Sequence, residues 1–566
     1  MQSKEIYAAL AQAFPGAVEP SPEGLAGDPF VCVAPGRLHE IMAYLKNGPD
    51  LAMDQLTMIS GVDRGEWIES VYHLYSQRRH HCATIKVKLD REAPEADSVC
   101  DLWGAADWHE REAYDMMGIR YRGHPNLRRI LLPEDWEGHP LRQDYEQPQE
   151  YHGIQNDWLQ ERSATRAIAS PTLRPAPETV PERTAMAAEP AKAPAELETE
   201  ELLVNMGPQH PSTHGVLRLV IRTDGEYVRE TWPHIGYLHR CFERIAQEVT
   251  YAQVVPYTDR LDYLSSMNNA QAYCMAVERL GGIEVPPRAE HLRVIFSELN
   301  RIGSHLLAFG TYGLDLGAFT PFIYGFRERE LLLDIFEKVS GGRLLYHYPR
   351  IGGVARDITA EIAKDITDFL RIFPAKWDEY NTLLSFNKIF IERTANVGVI
   401  PAELAVRYGL TGPCLRGSGA PYDIRKVHPY SIYDQLDFKI ALGEGLQGTL
   451  GDSWDRYWVR MVEMMESLKI VQQCLDGLPE GPIQTKISRV LRLPDGEAYT
   501  RVENPRGELG FYIVSDKKKT GAVRCRVRAP SFCNLSVTHE VAKDCLVADV
   551  LAIVGSIDIV LGEVDR

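Results

Sequence analysis

Residues 163–200 read SATRAIASPTLRPAPETVPERTAMAAEPAKAPAELETE, and this stretch decides how the chain is organised. It has prolines at positions 171, 175, 177, 181, 190 and 194, contains no aromatic residue and shows no sustained helical or strand period. A Pro/Ala/Glu-rich composition cannot bury enough apolar surface to fold, and it is typical of an extended, semi-rigid tether. The sequence therefore predicts two modules, residues 1–162 and 201–566, joined by a flexible linker over residues 163–200.

The chain as a whole is globular in composition and acidic in charge. Its 566 residues include 62 Lys+Arg and 79 Asp+Glu, which gives a formal net charge of −17. This balance argues against nucleic acid as the main partner, because phosphate binding needs a basic face. No apolar run approaches the roughly 18 residues of a membrane span, and the N-terminal MQSKEIYAALAQAF lacks the pattern of a signal peptide. We expect a cytoplasmic protein whose membrane role is peripheral.

The cysteines argue against a metal centre held by this chain. They lie at positions 32, 82, 100, 241, 274, 414, 474, 525, 533 and 545, and no two form a CxxC pair. A structural zinc site or an iron–sulfur cluster needs clustered thiolates. Scattered single cysteines most often behave as small buried hydrophobes, so we expect no metal ligands here.

Hydrophobic periodicity predicts a small α/β domain in the first module. Thr84–Asp90 alternates polar and apolar residues, as a half-buried strand does, and Trp67–Tyr75 is a neighbouring segment rich in β-formers. Helical patterns near Lys4–Phe14 and Pro35–Leu45 flank these two segments.

The second module is predicted to be mainly helical. Apolar residues recur at helical spacing over 358–370 and 454–468. Strand-like segments lie at Val216–Arg222 and at Val523–Ala529, the latter with Phe511–Val514 as its hairpin partner. We interpret this module as a helical bundle with small sheets at its two ends, so the chain as a whole is of the α+β class.

Two further motifs resemble binding sites, a glycine motif and a basic strand face. Gly443, Gly445 and Gly448 form GxGxxG, but this motif binds a dinucleotide only between a strand and a helix of a βαβ unit, and no such pattern surrounds it. Arg524 and its alternate neighbours Arg526 and Arg528 give one strand a basic face. That face is typical of a solvated surface or of docking onto an acidic partner protein.

The segment GPQHPSTHG, residues 207–215, suggests a functional loop. His210 and His214 are four residues apart and could ligate a metal, but Pro211 argues against a single helix face and no further Cys or His lies nearby. A structural histidine with satisfied hydrogen bonds remains the simpler interpretation from these residues alone.

Several motifs of the second module together resemble one family, the D (49 kDa) subunit of proton-pumping NADH:quinone oxidoreductase, respiratory complex I. They are GPQHPSTHGVLRL (207–219), HIGYLHR (234–240), DRLDYLS (259–265), DLGAFTP (315–321), RGSGAPYDIRK (416–426), DQLDF (434–438) and GEVDR (562–566). They span nearly all of residues 201–566.

The first module resembles the C (30 kDa) subunit of the same enzyme. The matching residues are EREAYDMMGIRY (110–121) and GHPNLRRILL (123–132). The linker then joins two subunits that some bacteria fuse. The resemblance implies a peripheral protein on the cytoplasmic side of the bacterial inner membrane, with the membrane arm and the other complex I subunits as partners. FMN and iron–sulfur clusters would be held by those partners, and this chain would bind no cofactor alone.

The 49 kDa family is in turn similar to the large subunit of nickel–iron hydrogenases, which holds its metals with two pairs of cysteines. The matching positions here are Asp262 and Ser265 in the first pair, and Val560 and Glu563 in the second. None is a thiolate, so nickel binding is excluded by ligand chemistry. The resemblance implies that the old metal cavity accepts quinone instead.

The residues suit quinone chemistry. Reducing a quinone to a quinol takes two electrons and two protons, and the resemblance implies His214 and Tyr263 as donors to the headgroup. Asp315 matches the carboxylate that pairs with the histidine and favours its imidazolium form. Without the resemblance, Tyr263 would be an ordinary buried tyrosine and Asp315 a cap of a helix opening near Leu316.

Further residues are expected around the pocket and the partner's terminal iron–sulfur cluster. Arg260 matches an arginine near that cluster, although an ion pair with Asp259 or Asp262 is its simpler role. Ser265 and His210 complete the set, His210 as a support of its loop. Some relatives carry a histidine near the cluster at the position of Leu345 in this chain. That histidine is credited with making the redox potential of the cluster depend on pH, so we do not expect this dependence here.

The sequence therefore predicts one component of a proton-translocating NADH:quinone oxidoreductase, with ubiquinone and menaquinone both fitting. A hydrogenase-type metalloenzyme is disfavoured by the missing cysteine pairs. A non-catalytic assembly scaffold is disfavoured by the retained His214, Tyr263 and Asp315. A relative supplied with electrons by ferredoxin or another donor stays open, because this chain does not touch the donor.

Overall fold

The structure is a computed structural model that describes residues 3–155, 201–209 and 214–566. The predicted linker and His210 lie outside the described residues.

The first module is built around a five-stranded mixed sheet. Its helices are α1 (Ser3–Ala13), α2 (Leu38–Asn47) and α3 (Ala106–Met117), and its strands are β1 (Val18–Pro20), β2 (Ala26–Gly27), β3 (Val31–Val33), β4 (Gln55–Asp63), β5 (Trp67–Ser76), β6 (His81–Asp90), β7 (Glu95–Asp97), β8 (Arg120–Arg122), β9 (Glu150–Tyr151) and β10 (Ile154–Gln155). The sheet order is β1-β3-β6-β5-β4, with β3 and β6 parallel. β6, predicted from alternation, and β5, predicted as its neighbour from its β-formers, pair antiparallel over their full length, which confirms that prediction.

The second module is mainly helical, as predicted. Its helices are α4 (Phe242–Glu248), α5 (Tyr251–Thr258), α6 (Ser266–Gly281), α7 (Pro287–Asp315), α8 (Phe319–Ser340), α9 (Ala360–Tyr380), α10 (Lys388–Thr394), α11 (Ala402–Arg407), α12 (Pro413–Arg416), α13 (Ile424–Val427), α14 (Ser453–Asp476), α15 (Pro530–Ser536), α16 (Thr538–Val541), α17 (Val547–Ile557) and α18 (Leu561–Asp565). The 29-residue α7 is the central helix, buried along most of its length and packed against α8, α14 and α17.

Small sheets lie near the two ends of this module in sequence, and a short two-stranded sheet of β14 and β15 lies between them. The strands are β11 (Glu201–Met206), β12 (Arg218–Asp224), β13 (Tyr227–His234), β14 (Pro349–Arg350), β15 (Gly353–Val354), β16 (Gly496–Asn504), β17 (Gly507–Ser515) and β18 (Arg524–Arg528). β11, β12 and β13 form one antiparallel sheet, and β17 pairs with β16 and β18 in another. The mixed α+β class is therefore confirmed. No helix in the described part of the chain is both long and apolar enough to cross a bilayer.

The late sheet is completed by the first module, which the sequence did not predict. β2 adds to it as a parallel neighbour of β16, giving the order β18-β17-β16-β2. A Cβ on Gly27 would lie 1.9 Å from the Glu497 carbonyl oxygen, so only glycine allows this approach. The two modules thus share a sheet.

The basic strand face is buried, so its interpretation as a solvated surface is wrong. Arg524, Arg526 and Arg528 on β18 are each at most 3% exposed. Arg526 pairs with Glu112 of the first module, and the Arg528 guanidinium reaches the Thr57 carbonyl oxygen at 3.4 Å. The arginines therefore contact both modules of the same chain, since Arg524 and Arg526 also pair with Glu243 of the second module.

The GxGxxG glycines lie in a loop before α14, outside any βαβ unit. A Cβ on Gly443 would meet the Gly417 carbonyl oxygen at 2.0 Å. This glycine therefore permits close backbone packing.

Candidate active site

The histidine loop and the end of the central helix meet in one buried hydrogen bond. His214 Nε2 lies 2.6 Å from Asp315 Oδ2, and the side chains are 11% and 7% exposed. His214 and Gly215, here called the histidine loop, lie between β11 and β12, and His214 has a left-handed backbone, with φ of 53°. Because 101 residues separate the partners in sequence, only the tertiary fold brings them together.

Asp315 does not open a helix. It is the last residue of α7, and the next helix, α8, begins at Phe319. The capping role that the sequence alone allowed is therefore wrong, and the carboxylate is directed to His214 instead.

Tyr263 lies in the tight turn 259–265 that connects α5 to α6. The buried Asn269 of α6 fixes this turn by donating to the carbonyl oxygens of Thr258 and Asp262 at 3.1 and 2.8 Å. Tyr263 itself stays 38% exposed, so a ligand can reach it. Partial burial raises the pKa of its phenol, which keeps the hydroxyl protonated as a hydrogen-bond donor.

The C-terminal helix α18 joins the two parts of the site. A Cβ on Gly215 would contact Leu561 Cδ1 at 3.1 Å, so the histidine loop packs directly on α18. A Cβ on Gly562 would lie 2.6 Å from the Leu261 carbonyl oxygen, so α18 also packs on the tyrosine turn. The site is thus assembled from the histidine loop, the end of α7, the tyrosine turn and α18.

Behind the tyrosine turn lies a buried charged cluster. Arg506, in the turn between β16 and β17, donates from Nη1 to Asp262 Oδ2 at 2.9 Å and from Nη2 to Asp558 Oδ1 at 3.3 Å. Ser265 donates its hydroxyl to the same Asp262 oxygen. Ser265 is fully buried, so it supports Asp262 from within the protein.

The four positions that the sequence analysis expects to match the hydrogenase cysteine pairs are all buried. Asp262, Ser265 and Glu563 are 0% exposed and Val560 is 2% exposed. The contact of Gly562 with the 259–265 turn places the two pairs in neighbouring segments. The Arg506 guanidinium hydrogen-bonds to Asp262, one of these four positions. The sequence analysis did not predict this contact, because a lone Arg-Gly in a hairpin turn has no distinguishing pattern.

Among the described residues, Arg260 forms no ion pair with either acid expected to neutralise it, although, against the effect of burial, its charge lowers the pKa of Asp259. It is exposed and donates from Nη1 to the Pro256 carbonyl oxygen, while Asp262 is engaged by Arg506. The neighbouring Asp259 carboxylate accepts the His347 N–H at 2.8 Å, and burial raises its pKa to about 7. Burial, then Arg350 and Arg260, lower the pKa of His347 to about 4, so this imidazole is neutral at physiological pH.

Comparisons with known proteins match both modules to one enzyme. The profile of the respiratory-chain NADH dehydrogenase 30 kDa subunit matches residues 31–151, and that of the 49 kDa subunit matches residues 315–493 and 484–566. The D subunit of the NADH-quinone oxidoreductase of Chlorobaculum tepidum is 52% identical over 374 residues, which cover 66% of this chain and 94% of that protein. The D subunits of the same enzyme from Pelodictyon phaeoclathratiforme and Chlorobium luteolum are also 52% identical over 374 residues, which cover 66% of this chain and 94% and 95% of their own lengths.

The chain therefore belongs to the respiratory-chain NADH dehydrogenase family, a class of multisubunit oxidoreductases. It carries the 30 kDa and the 49 kDa domains in a single polypeptide, and this makes it a fused form of the C and D subunits.

Proposed function

We propose that residues 201–566 form the quinone-reducing cavity of this oxidoreductase, beside the terminal iron–sulfur cluster of a neighbouring subunit. The observation that carries the proposal is the buried His214–Asp315 hydrogen bond, joined through α18 to the turn of the accessible Tyr263. In this proposal His214 and Tyr263 act as two different proton donors to one bound headgroup. This is the arrangement that a substrate taking up two electrons and two protons needs.

Each residue has a separate task in this proposal. The Tyr263 phenol and the His214 imidazole bind the two carbonyl oxygens of the quinone headgroup and supply protons to them. Asp315 orients the imidazole and stabilises its protonated form. After His214 gives up its proton, the Asp315 charge is no longer balanced, which is our hypothesis for the trigger of a conformational change.

The electrons come from NADH through FMN and iron–sulfur clusters that partner subunits hold. Arg260, exposed beside the turn, faces that partner and stabilises the reduced cluster by its fixed positive charge. His210 supports the loop of His214, and Ser265 supports the cavity wall through Asp262. In this proposal residues 1–162 are a docking scaffold and residues 163–200 a tether.

We further propose that quinone reduction in the assembled complex is coupled to proton translocation across the membrane. The chain would lie peripherally on the cytoplasmic side of the bacterial inner membrane, against the membrane arm. The competing proposal, a non-catalytic scaffold with a vestigial cavity, predicts that the polar groups of the cavity can be removed without loss of turnover.

Tyr263→Phe separates the two proposals. We expect membranes with this variant to lose NADH:quinone activity by roughly 100-fold, since a positioned proton donor contributes about that much. NADH:ferricyanide activity should be retained, because ferricyanide accepts electrons upstream and so reports assembly. Tyr227→Phe is the matched control, since Tyr227 is an exposed tyrosine on β13 that belongs to none of the site motifs.

Quinone activity near that of the wild type in Tyr263→Phe would refute the site and favour the scaffold. If ferricyanide activity is lost as well, assembly has failed, and quinone protection of Tyr263 from chemical modification in the wild-type complex then decides.

A further inference from the structure

The cluster behind the tyrosine turn contains more carboxyl groups than cations. Asp262, Asp558 and Glu563 are its three acids, each at most 5% exposed. Arg506 forms ion pairs with Asp262 and Asp558, and Arg460 Nε lies 3.6 Å from Asp558 Oδ2. None of the ion pairs among residues 3–155, 201–209 and 214–566 includes Glu563.

The Glu563 carboxyl also has few hydrogen-bond partners. Its Oε1 accepts the Ser531 N–H at 3.0 Å, while its buried Oε2 has no hydrogen-bond partner within the described chain. An ionised carboxylate is costly in such a place, because neither a cation nor enough donors replace water. Burial and the nearby Asp262 carboxylate raise the pKa of Glu563 to about 8, so this acid carries a proton at physiological pH.

Its place in the fold connects this proton with the candidate active site. Glu563 directly follows Gly562, the residue packed on the backbone of the tyrosine turn. Tyr263 is within electrostatic range of the cluster, because burial and then Asp262 and Asp558 raise the pKa of its phenol while Arg506 lowers it. A tyrosinate there is a stronger base than the Glu563 carboxylate, so a proton passes downhill from Glu563 to Tyr263.

We propose that Glu563 is the internal proton reserve of the site and restores the Tyr263 hydroxyl after each quinone reduction. In the first step the Tyr263 O–H bond breaks and an O–H bond forms on the reduced quinone, whose electrons come from the partner subunits. In the second step the Glu563 O–H bond breaks and the Tyr263 O–H bond re-forms. Solvent then reprotonates Glu563. This inference rests on the proposed function.

Several groups face Glu563 from the elements packed around it. They are Asp262 from the 259–265 turn, Arg506 from the β16–β17 turn and Ser531 from α15. Asp558, from the segment before α18, joins this cluster through Arg506, and Arg460, from α14, joins it through Asp558. The two arginines are committed to Asp262 and Asp558, which leaves Glu563 as the acid that keeps its proton.

The test is Glu563→Gln in the assembled complex, since glutamine keeps the size of the side chain but cannot release a proton. We expect NADH:quinone turnover to fall by roughly 10- to 100-fold at neutral pH, with NADH:ferricyanide activity unchanged. Glu563→Asp, which keeps an ionisable carboxyl, should recover part of the turnover. Infrared difference spectra should show a protonated-carboxyl signal in the wild type that Glu563→Gln lacks.

Glu110→Gln is the matched control. Glu110 is a fully buried acid of the first module, and burial raises its pKa to about 7. Because it lies outside the site, its removal should leave the pH profile of quinone reduction unchanged.

Wild-type turnover and an unchanged pH profile in Glu563→Gln would overturn the proposal and make Glu563 a neutral structural acid. If that variant fails to assemble, the wild-type spectrum decides: a carboxyl signal that changes on quinone reduction supports the reserve, and its absence overturns it. Failure of the proposed function would appear instead as retained activity in Tyr263→Phe.

Discussion

The Asp315 carboxylate gives His214 a partner that is both a hydrogen-bond acceptor and a negative charge. Asp315→Asn separates these roles, because asparagine can still accept through its carbonyl oxygen but does not stabilise an imidazolium. We predict that NADH:quinone turnover falls at least about tenfold, while NADH:ferricyanide activity and the amount of assembled complex are unchanged.

Asp334→Asn is the control for that change, since Asp334 is an exposed aspartate of α8 paired with Arg343 and should tolerate the substitution. Wild-type quinone turnover in Asp315→Asn would contradict the role of the charge and leave only an orienting hydrogen bond.

Single residues of the site were predictable only as far as they belong to motifs. Spacing alone left His214 undecided between a metal ligand and a structural residue, and its partner lies 101 positions further along the chain. The resemblance supplied the pair. It did not supply Arg506, because the importance of this arginine comes from its position between Asp262 and Asp558, which no local pattern encodes.

The short helix α18 is the element that holds the histidine loop and the tyrosine turn together. Gly562→Ala tests this, because helix propensity alone predicts a gain of up to about 1 kcal/mol, whereas the added Cβ would lie 2.6 Å from the Leu261 carbonyl oxygen. We predict that the steric effect dominates, since a backbone atom cannot move aside cheaply. Quinone KM should rise or turnover fall, by about tenfold, with ferricyanide activity retained.

Gly36→Ala provides the comparison for this element, since a Cβ at Gly36 meets no atom within 4 Å and should leave both activities unchanged. Unaltered quinone kinetics in Gly562→Ala would mean that α18 does not position the tyrosine turn.

Periodicity predicted some of the long elements, but not the 29-residue α7, which is buried along most of its length. The predicted strands and helices at 67–90, 358–370 and 454–468 all exist, because each buries a continuous apolar face. Helices of four to seven residues such as α12, α13 and α18 are too short to show a period, and tertiary contacts stabilise them. Hydrophobic periodicity therefore could not predict the part of the site that depends on α18.

At the scale of the whole molecule, composition predicted two modules but not how they join. The interface depends on charges that look solvated in the sequence: Arg526 of β18 binds Glu112 of α3, and Arg566 at the C-terminus lies 2.9 Å from the same carboxylate. Since Arg566 follows α18 directly, the contact between modules continues into the helix that holds the candidate active site.

Breaking this interface on one side should destabilise the full chain. Glu112→Gln removes one of the two buried carboxylates that Arg526 and Arg566 share and leaves them only Glu243, at 3.2 and 3.8 Å. We predict a free energy of unfolding lower by up to roughly 3 kcal/mol and less assembled complex. Asp368→Asn, in the exposed pair with Lys364, should cost under about 1 kcal/mol.

Burial alone would raise the pKa of Glu112, but Arg526 and Arg566 lower it to about 2. The wild-type contribution is therefore present above the unfolded-state pKa of about 4.3 and is lost as the pH falls toward 2, a loss that Glu112→Gln should not show. Equal stability of the two variants at neutral pH would mean that this ion pair does not hold the modules together.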